Sequence, residues 1–200
     1  MYLENVVAAK PEIKTRDWSA ICLGIFEDKE LSAQQQQYDS QIDGRINALL
    51  SQDDFTGESG QTELIYLGED ALIRRILLIG LGKKEKFTLD NAREAAGSAV
   101  RAAQSRRLND FAVEVFGGDI LEEPVAEIVQ GITEGLILGS YQFTDYRTKD
   151  TEKYFVSKKA GILTDAAVES AIQRGAALAR ATAFVRDVAL HPSNIMTPNR

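Results

Sequence analysis

Few residues in this chain carry chemistry by type alone, and their spacing decides what that chemistry could be. Cys22 and His191 are the single cysteine and the single histidine. As a pair they could supply a thiolate nucleophile and its base. Cys22, however, sits in the apolar run AICLGIF, where a thiol is buried and inert. His191 stands immediately before Pro192 with no serine or cysteine partner in evidence. One Cys and one His also exclude the usual zinc sets and an internal disulfide framework. Carboxylates come in pairs, at Asp53–Asp54, Glu69–Asp70 and Glu122–Glu123. A divalent cation needs several such groups to converge with a supporting shell, and neighbouring surface carboxylates are ordinarily just solvated. Residue chemistry alone therefore gives no catalytic residue, no metal ligand and no cofactor-binding residue.

Two further patterns raise the question of phosphate. GLGKK, Gly80 to Lys84, follows an apolar strand-like run, where phosphate loops sit. It fills only the first half of G-x-G-x-x-G, because position 85 is Glu, and the lysines lack the G-x-x-x-x-G-K-[ST] frame. The glycines read as a turn needing backbone freedom. Basic pairs at Arg74–Arg75, Lys83–Lys84, Arg106–Arg107 and Lys158–Lys159 would make a nucleic-acid face only if they converged. A net charge of −7 argues against generic binding to nucleic acid or anionic lipid.

These residues must be positioned by elements, and the pattern alternates strand with helix. Leu3–Ala9 and Ala20–Glu27 read as strands, as do TELIYLG, RRILLIGLG with its continuous Ile76–Ile79 core, DFAVEVF and KYFVSKKAGIL. LSAQQQQYDS reads as a polar surface connection. IDGRINALL places Ile42, Ile46, Leu49 and Leu50 on one helical face. A second helix opens at Thr88 and closes at Arg106–Arg107. A third sets Val125, Ile128, Val129, Ile132, Leu136 and Gly139 on one broad face. A last, alanine-rich helix runs from Asp165 to about Leu190. The expectation is an α/β fold: a mixed, largely parallel sheet with helices on both faces. At 200 residues with 44% hydrophobic content the chain can build its own core. The N-terminus lacks the apolar run of a signal peptide, and no apolar stretch approaches the ~18 residues of a membrane span. The expected setting is cytoplasmic, with no membrane partner.

The last helix is apolar on two sides. Val168, Ile172, Gly175, Ala179 and Ala183 form one stripe, expected to face the sheet. Ala177, Ala181, Phe184 and Val188 form a second, roughly opposite, which expects cover of its own. Beyond it, Thr197–Pro198 reads as the opening of another helix, a favoured N-cap followed by a favoured first residue.

Several stretches, in order and spacing, resemble the N-terminal half of the leucyl aminopeptidase family, the cytosol aminopeptidases. They are DFTGESGQTELIYLG, RRILLIGLGKKEKFT, NAREAAGSAVRAA, ITEGLILGSYQFTDYRT and ALARATAFVRDVALHPSNIMTPNR. The most specific piece is Arg186–Asp187 followed by Pro192 to Pro198; Leu190 departs from it, standing where the family often has asparagine. The resemblance implies a macro-domain-like sheet. It implies three segments: an N-terminal domain over 1–164, a linking helix over 165–190, and the start of a C-terminal catalytic domain at 191–200. In the family that second domain holds two divalent metals, Mn or Zn, and its Asn-Thr-Asp-Ala-Glu-Gly-Arg and Asp-Ser-Gly-Gly segments are absent from these residues. This chain is then expected to be non-catalytic, without a cofactor of its own. Its expected partner is its own catalytic domain, met through Ala177, Ala181, Phe184 and Val188, in a parent that forms a homohexamer. Two other functions stay open: a macro-like module binding ADP-ribose, and a DNA-binding accessory domain.

Overall fold

The computed structural model of the chain describes residues 1–12, 17–68, 71–146, 148–149 and 154–192. The Thr197–Pro198 helix start and the Glu69–Asp70 pair lie outside the described residues. Six strands form one sheet: β1 Asn5–Ala9, β2 Ile21–Phe26, β3 Thr62–Tyr66, β4 Arg75–Gly82, β5 Asp110–Glu114 and β6 Lys159–Leu163. Their order across the sheet is β1-β6-β5-β2-β4-β3. All neighbours pair in parallel except β3, which runs antiparallel to β4 at one edge. β2 and β4, in the middle, are buried almost throughout, as strands covered on both faces must be.

Among the described residues five α-helices cover the sheet: α1 Ala33–Gln41, α2 Arg45–Ser51, α3 Leu89–Ser105, α4 Val125–Gly139 and α5 Glu169–Leu190. On one face Tyr38, Ile42, Ile46 and Leu50 pack with Ile21, Leu23, Ile25, Ile76 and Leu78. On the other, α3, α4 and the start of α5 meet Cys22, Leu77, Ile79 and Val113. The alternation of side chains along β2 and β4 feeds both cores at once.

α1 corrects the reading of LSAQQQQYDS as a connection. Ser32 and Gln35 form a reciprocal capping box, which starts the helix without apolar help. The helix has no apolar stripe because its inward residues are Gln35, Tyr38 and Asp39. The buried polar pair works by hydrogen bonding: Asp39 Oδ1 accepts from the amide of Ile46 at 2.7 Å, filling an open donor at the start of α2.

α3 opens on a second capping box, Thr88 with Asn91. It lies very close to α4, because glycines face each other: a Cβ on Gly139 would sit 2.6 Å from Gly97 Cα. α4 is buried nearly all round, between α3 and α5. Ile128, Val129, Ile132 and Leu136 are fully enclosed, whereas Val125, assigned to the same face by spacing, is exposed at the helix start.

α5 also differs from expectation. Val168, Ile172, Gly175, Ala179 and Ala183 are buried. They pack chiefly on α4, and toward the sheet they lie mainly against the edge strand β1. α4 already occupies the sheet there, and Gly175 lets the two helices approach: a Cβ on it would lie 2.7 Å from the carbonyl oxygen of Gln130.

Candidate functional site

Chemistry in this fold is concentrated where β2 and β5 end. The two strands pair only through Ile21–Ala112 and Cys22–Val113. Beyond that they part, because the chain leaves β2 toward α1 and β3 on one side and leaves β5 toward α4 and β6 on the other. Such a reversal opens a crevice at the carboxyl ends of the strands, the usual ligand position in open α/β sheets. Here the crevice is a cleft of about 610 Å³. Its walls include Phe26, Leu81, Val115 and Leu163, and its polar lining includes Glu30, Gln35, Lys84, Glu114, Asp119 and Asp165.

Glu114, the last residue of β5, fills the gap between the parted strands. Its Oε1 accepts from the Gly24 amide at 2.5 Å and from Gln35 Nε2 at 2.8 Å. Gln35 Nε2 also lies 2.8 Å from the Gly24 carbonyl. The side chains of Glu114 and Gln35 thus replace the backbone ladder that β2 and β5 no longer share. Desolvation by the surrounding protein pushes the Glu114 carboxyl up to about 8, and the nearby Asp119 charge adds to this. Gly24 is required at this point: a Cβ there would lie 2.7 Å from a Leu81 methyl and 2.8 Å from the Phe116 ring. Leu81 itself is the extra residue of a bulge in β4, since Ile25 pairs with Gly80 and Phe26 with Gly82.

The residues singled out from sequence are not gathered here. Cys22 is buried in β2 and its thiol is pushed upward by desolvation, so it carries no reactive thiolate. His191 lies at the end of α5, where its Nδ1 is 2.5 Å from the Tyr146 hydroxyl and its ring packs edge-on to Phe143. Asp53 is held by Lys29 on the surface. Among the described residues, no group of three or more His, Cys, Asp or Glu is placed to hold a metal ion.

Gly80 and Gly82 do not cradle phosphate. The Gly80 amide donates to the Gln61 carbonyl and the Gly82 amide to the Gly57 carbonyl, each at 2.8 Å. A Cβ on Gly80 would fall 1.9 Å from the Glu58 carbonyl oxygen, and Gly82 has φ +78. The basic pairs divide between the sheet ends. Arg75 and Lys159 begin β4 and β6, and Arg106–Arg107 precede β5, all away from the cleft, while Lys83–Lys84 follow β4 at the cleft end. Arg75 lies over the Tyr66 ring and Lys159 over Trp18.

The four residues assigned to an interdomain contact lie on the C-terminal half of α5. Ala177, Ala181 and Phe184 are exposed and Val188 is half-buried. Phe184 is 67% exposed, beside Val185 at 63% and Leu178 at 54%. The helix end is tied down by the Arg186–Asp187 pair. Tyr141 Oη donates to Asp187 Oδ1 at 2.5 Å, and the Arg186 guanidinium lies over the Tyr141 ring. Burial and the Asp187 carboxylate push the Tyr141 hydroxyl up to about 12.

Residues 22–150 match the model of the N-terminal domain of the cytosol aminopeptidase family. The chain belongs to this family. It is 33% identical over 188 residues to a probable cytosol aminopeptidase of Alkaliphilus metalliredigens, covering 89% of this chain and 37% of that protein. It therefore spans little more than a third of that relative. A mutant of tomato leucine aminopeptidase superposes with a TM-score of 0.79 at 24% identity, over 98% of this chain and 40% of that one. The macrodomain of Thermus aquaticus DarG superposes with a TM-score of 0.55 at 13% identity, over 80% of this chain and 97% of that domain. At those identities the two structures speak to the fold alone, which is macrodomain-like. No helix among the described residues is long and apolar enough to cross a membrane.

Proposed function

We propose that these residues form the non-catalytic N-terminal domain of a cytoplasmic metal-dependent aminopeptidase. The observation that carries the reading is α5, filled on one side by α4 and left apolar and open on the other by Leu178, Phe184 and Val185. Family membership supplies the occupant, the enzyme's own C-terminal domain, seated on Ala177, Ala181, Phe184 and Val188. That domain holds the two divalent metals, Mn or Zn, which when bound activate water against the scissile carbonyl. The part of this chain is to present α5 at a fixed angle. The Arg186–Asp187 clamp on Tyr141 and the contact of Arg180 with the Glu4 carbonyl at 2.8 Å support this role. The parent assembles as a homohexamer.

The test is hydrolysis of a leucyl anilide by the 200-residue chain with added Mn or Zn. The expected result is no turnover. Activity that stays proportional to protein through purification would overturn the proposal. In a polypeptide carrying both domains, Phe184→Asp should lower thermal stability and turnover together. The ADP-ribose alternative has the sheet in its favour, but Asp119, which has no ion pair among the described residues, sets an uncompensated carboxylate at the cleft that repels a diphosphate. DNA binding has no converging basic face at the cleft to recommend it.

A further inference from the structure

We propose that the cleft between the carboxyl ends of β2 and β5 binds a small organic cation with an apolar tail, with Glu114 as its counter-ion. The proposal is independent of the aminopeptidase reading. Glu114 lines the cleft and has one oxygen committed, to Gly24 and Gln35, while Oε2 accepts no hydrogen bond from any described residue. A carboxyl group fixed through one oxygen and open through the other is a prepared receptor for an N–H donor.

The surrounding charges select the sign of the ligand. Among the described residues Lys84 is the only cation in the lining, and it is engaged 3.7 Å from Glu30 and 3.8 Å from Asp28. Asp165 is paired with Lys10 at 3.0 Å on the rim. Asp119 has no ion pair among the described residues, and it acts on Glu114 as a like charge. Among the described residues neither Glu114 nor Asp119 has a cationic partner, and a bound ammonium or guanidinium answers both. In the glycine turn after β5 the Gly118 amide already donates to the Val115 carbonyl, so this N–H is not offered to an anion. Phe26, Leu81, Val115 and Leu163 supply apolar wall for a tail, and about 610 Å³ holds a molecule of amino-acid size with room to spare.

Binding must be linked to protons. The free Glu114 carboxyl, pushed up to about 8, is mostly protonated at neutral pH and must ionise to hold a cation. The titratable groups that sense it are Asp119 from the loop after β5, Cys22 of β2 and Tyr38 of α1. Cys22 and Tyr38 are themselves held protonated by burial, Tyr38 at about 12. Lys84, Glu30 and Asp165 complete the charged lining.

The experiment is calorimetric titration of the chain with isoamylamine, a branched primary amine that stays charged to well above pH 9. Isoamyl alcohol serves as the neutral isostere and ADP-ribose as the anionic competitor. The expected result is saturable amine binding, at least fivefold tighter at pH 8.5 than at pH 6.5, with proton release seen as a dependence of heat on buffer. Isoamyl alcohol and ADP-ribose should not compete. Glu114→Gln should weaken the amine at least tenfold and abolish the pH dependence, and Asp119→Asn should weaken it less. Retained circular dichroism and cooperative melting of each variant keep loss of binding distinct from loss of fold. No saturable amine binding, equal binding by Glu114→Gln, or saturable ADP-ribose binding in the same cleft would each overturn the proposal.

Discussion

Glu114 shows how much one residue can reshape a strand end. Because its folded carboxyl lies near 8 rather than 4.5, the native chain keeps a proton that the unfolded chain gives up. Its stabilising protonation is complete below about pH 4.5 and is lost as pH rises through about 8. Glutamine cannot titrate and mimics the protonated form. Urea unfolding at pH 5 and pH 9 should therefore show Glu114→Gln gaining stability relative to the parent chain as pH rises. A difference that does not move with pH would contradict the assignment. The glycines of GLGKK make a second prediction at this scale. Gly80→Ala drives a Cβ into a backbone oxygen and should cost about 2–4 kcal/mol. Gly82→Ala meets only ordinary contact with Ser59 Cβ at 3.5 Å, and its cost is that of the left-handed backbone, about 1–2 kcal/mol. Equal losses would contradict this division between a steric cost at Gly80 and a backbone cost at Gly82.

At the scale of elements, helix starts can be tested directly. Ser32→Ala should cost about 1 kcal/mol, since it removes one arm of the α1 capping box. It should also loosen Gln35, which holds Glu114. Phe184→Asp on the exposed side of α5 should change the stability of this chain by no more than about 0.5 kcal/mol. Analytical ultracentrifugation should show that it removes any concentration-dependent dimer. A variant that unfolds instead would place Phe184 in this domain's core. These cases also mark what the sequence made legible. α3 was readable because Thr88, an acidic first turn and a periodic alanine face all agree. α1 was not, because its buried positions are Gln35 and Asp39, which repay burial through hydrogen bonds that no hydropathy pattern records. Val125 was placed inside because periodicity fixes an angle around a helix but not where the neighbouring layer stops.

At the scale of the molecule, the alternating pattern gave a parallel sheet but not its order. The cleft was invisible for the same reason. Gly24, Gln35, Glu114 and Asp165 come from four separate stretches, and only the parting of β2 from β5 brings them together. One clue lay in the strings themselves: a glycine within AICLGIF and a glutamate, Glu114, in the middle of the apolar run of DFAVEVF, each a local fault in an apolar strand.

The register of β1 carries a consequence for how the chain is made. Asn5 pairs with Lys159, and the only neighbour of β1 in the sheet is β6. The Met1 ammonium donates to the Gln142 carbonyl and the Leu3 amide to Ser140 Oγ. Nearly everything that holds the first strand is therefore synthesised more than 130 residues after it. On the ribosome, β3 and β4 can close their hairpin early, while residues 1–9 wait as an unclaimed apolar segment until β6 has been made. Nascent chains arrested before Lys159 should be clipped by protease within residues 1–9, and chains released after Leu163 should not.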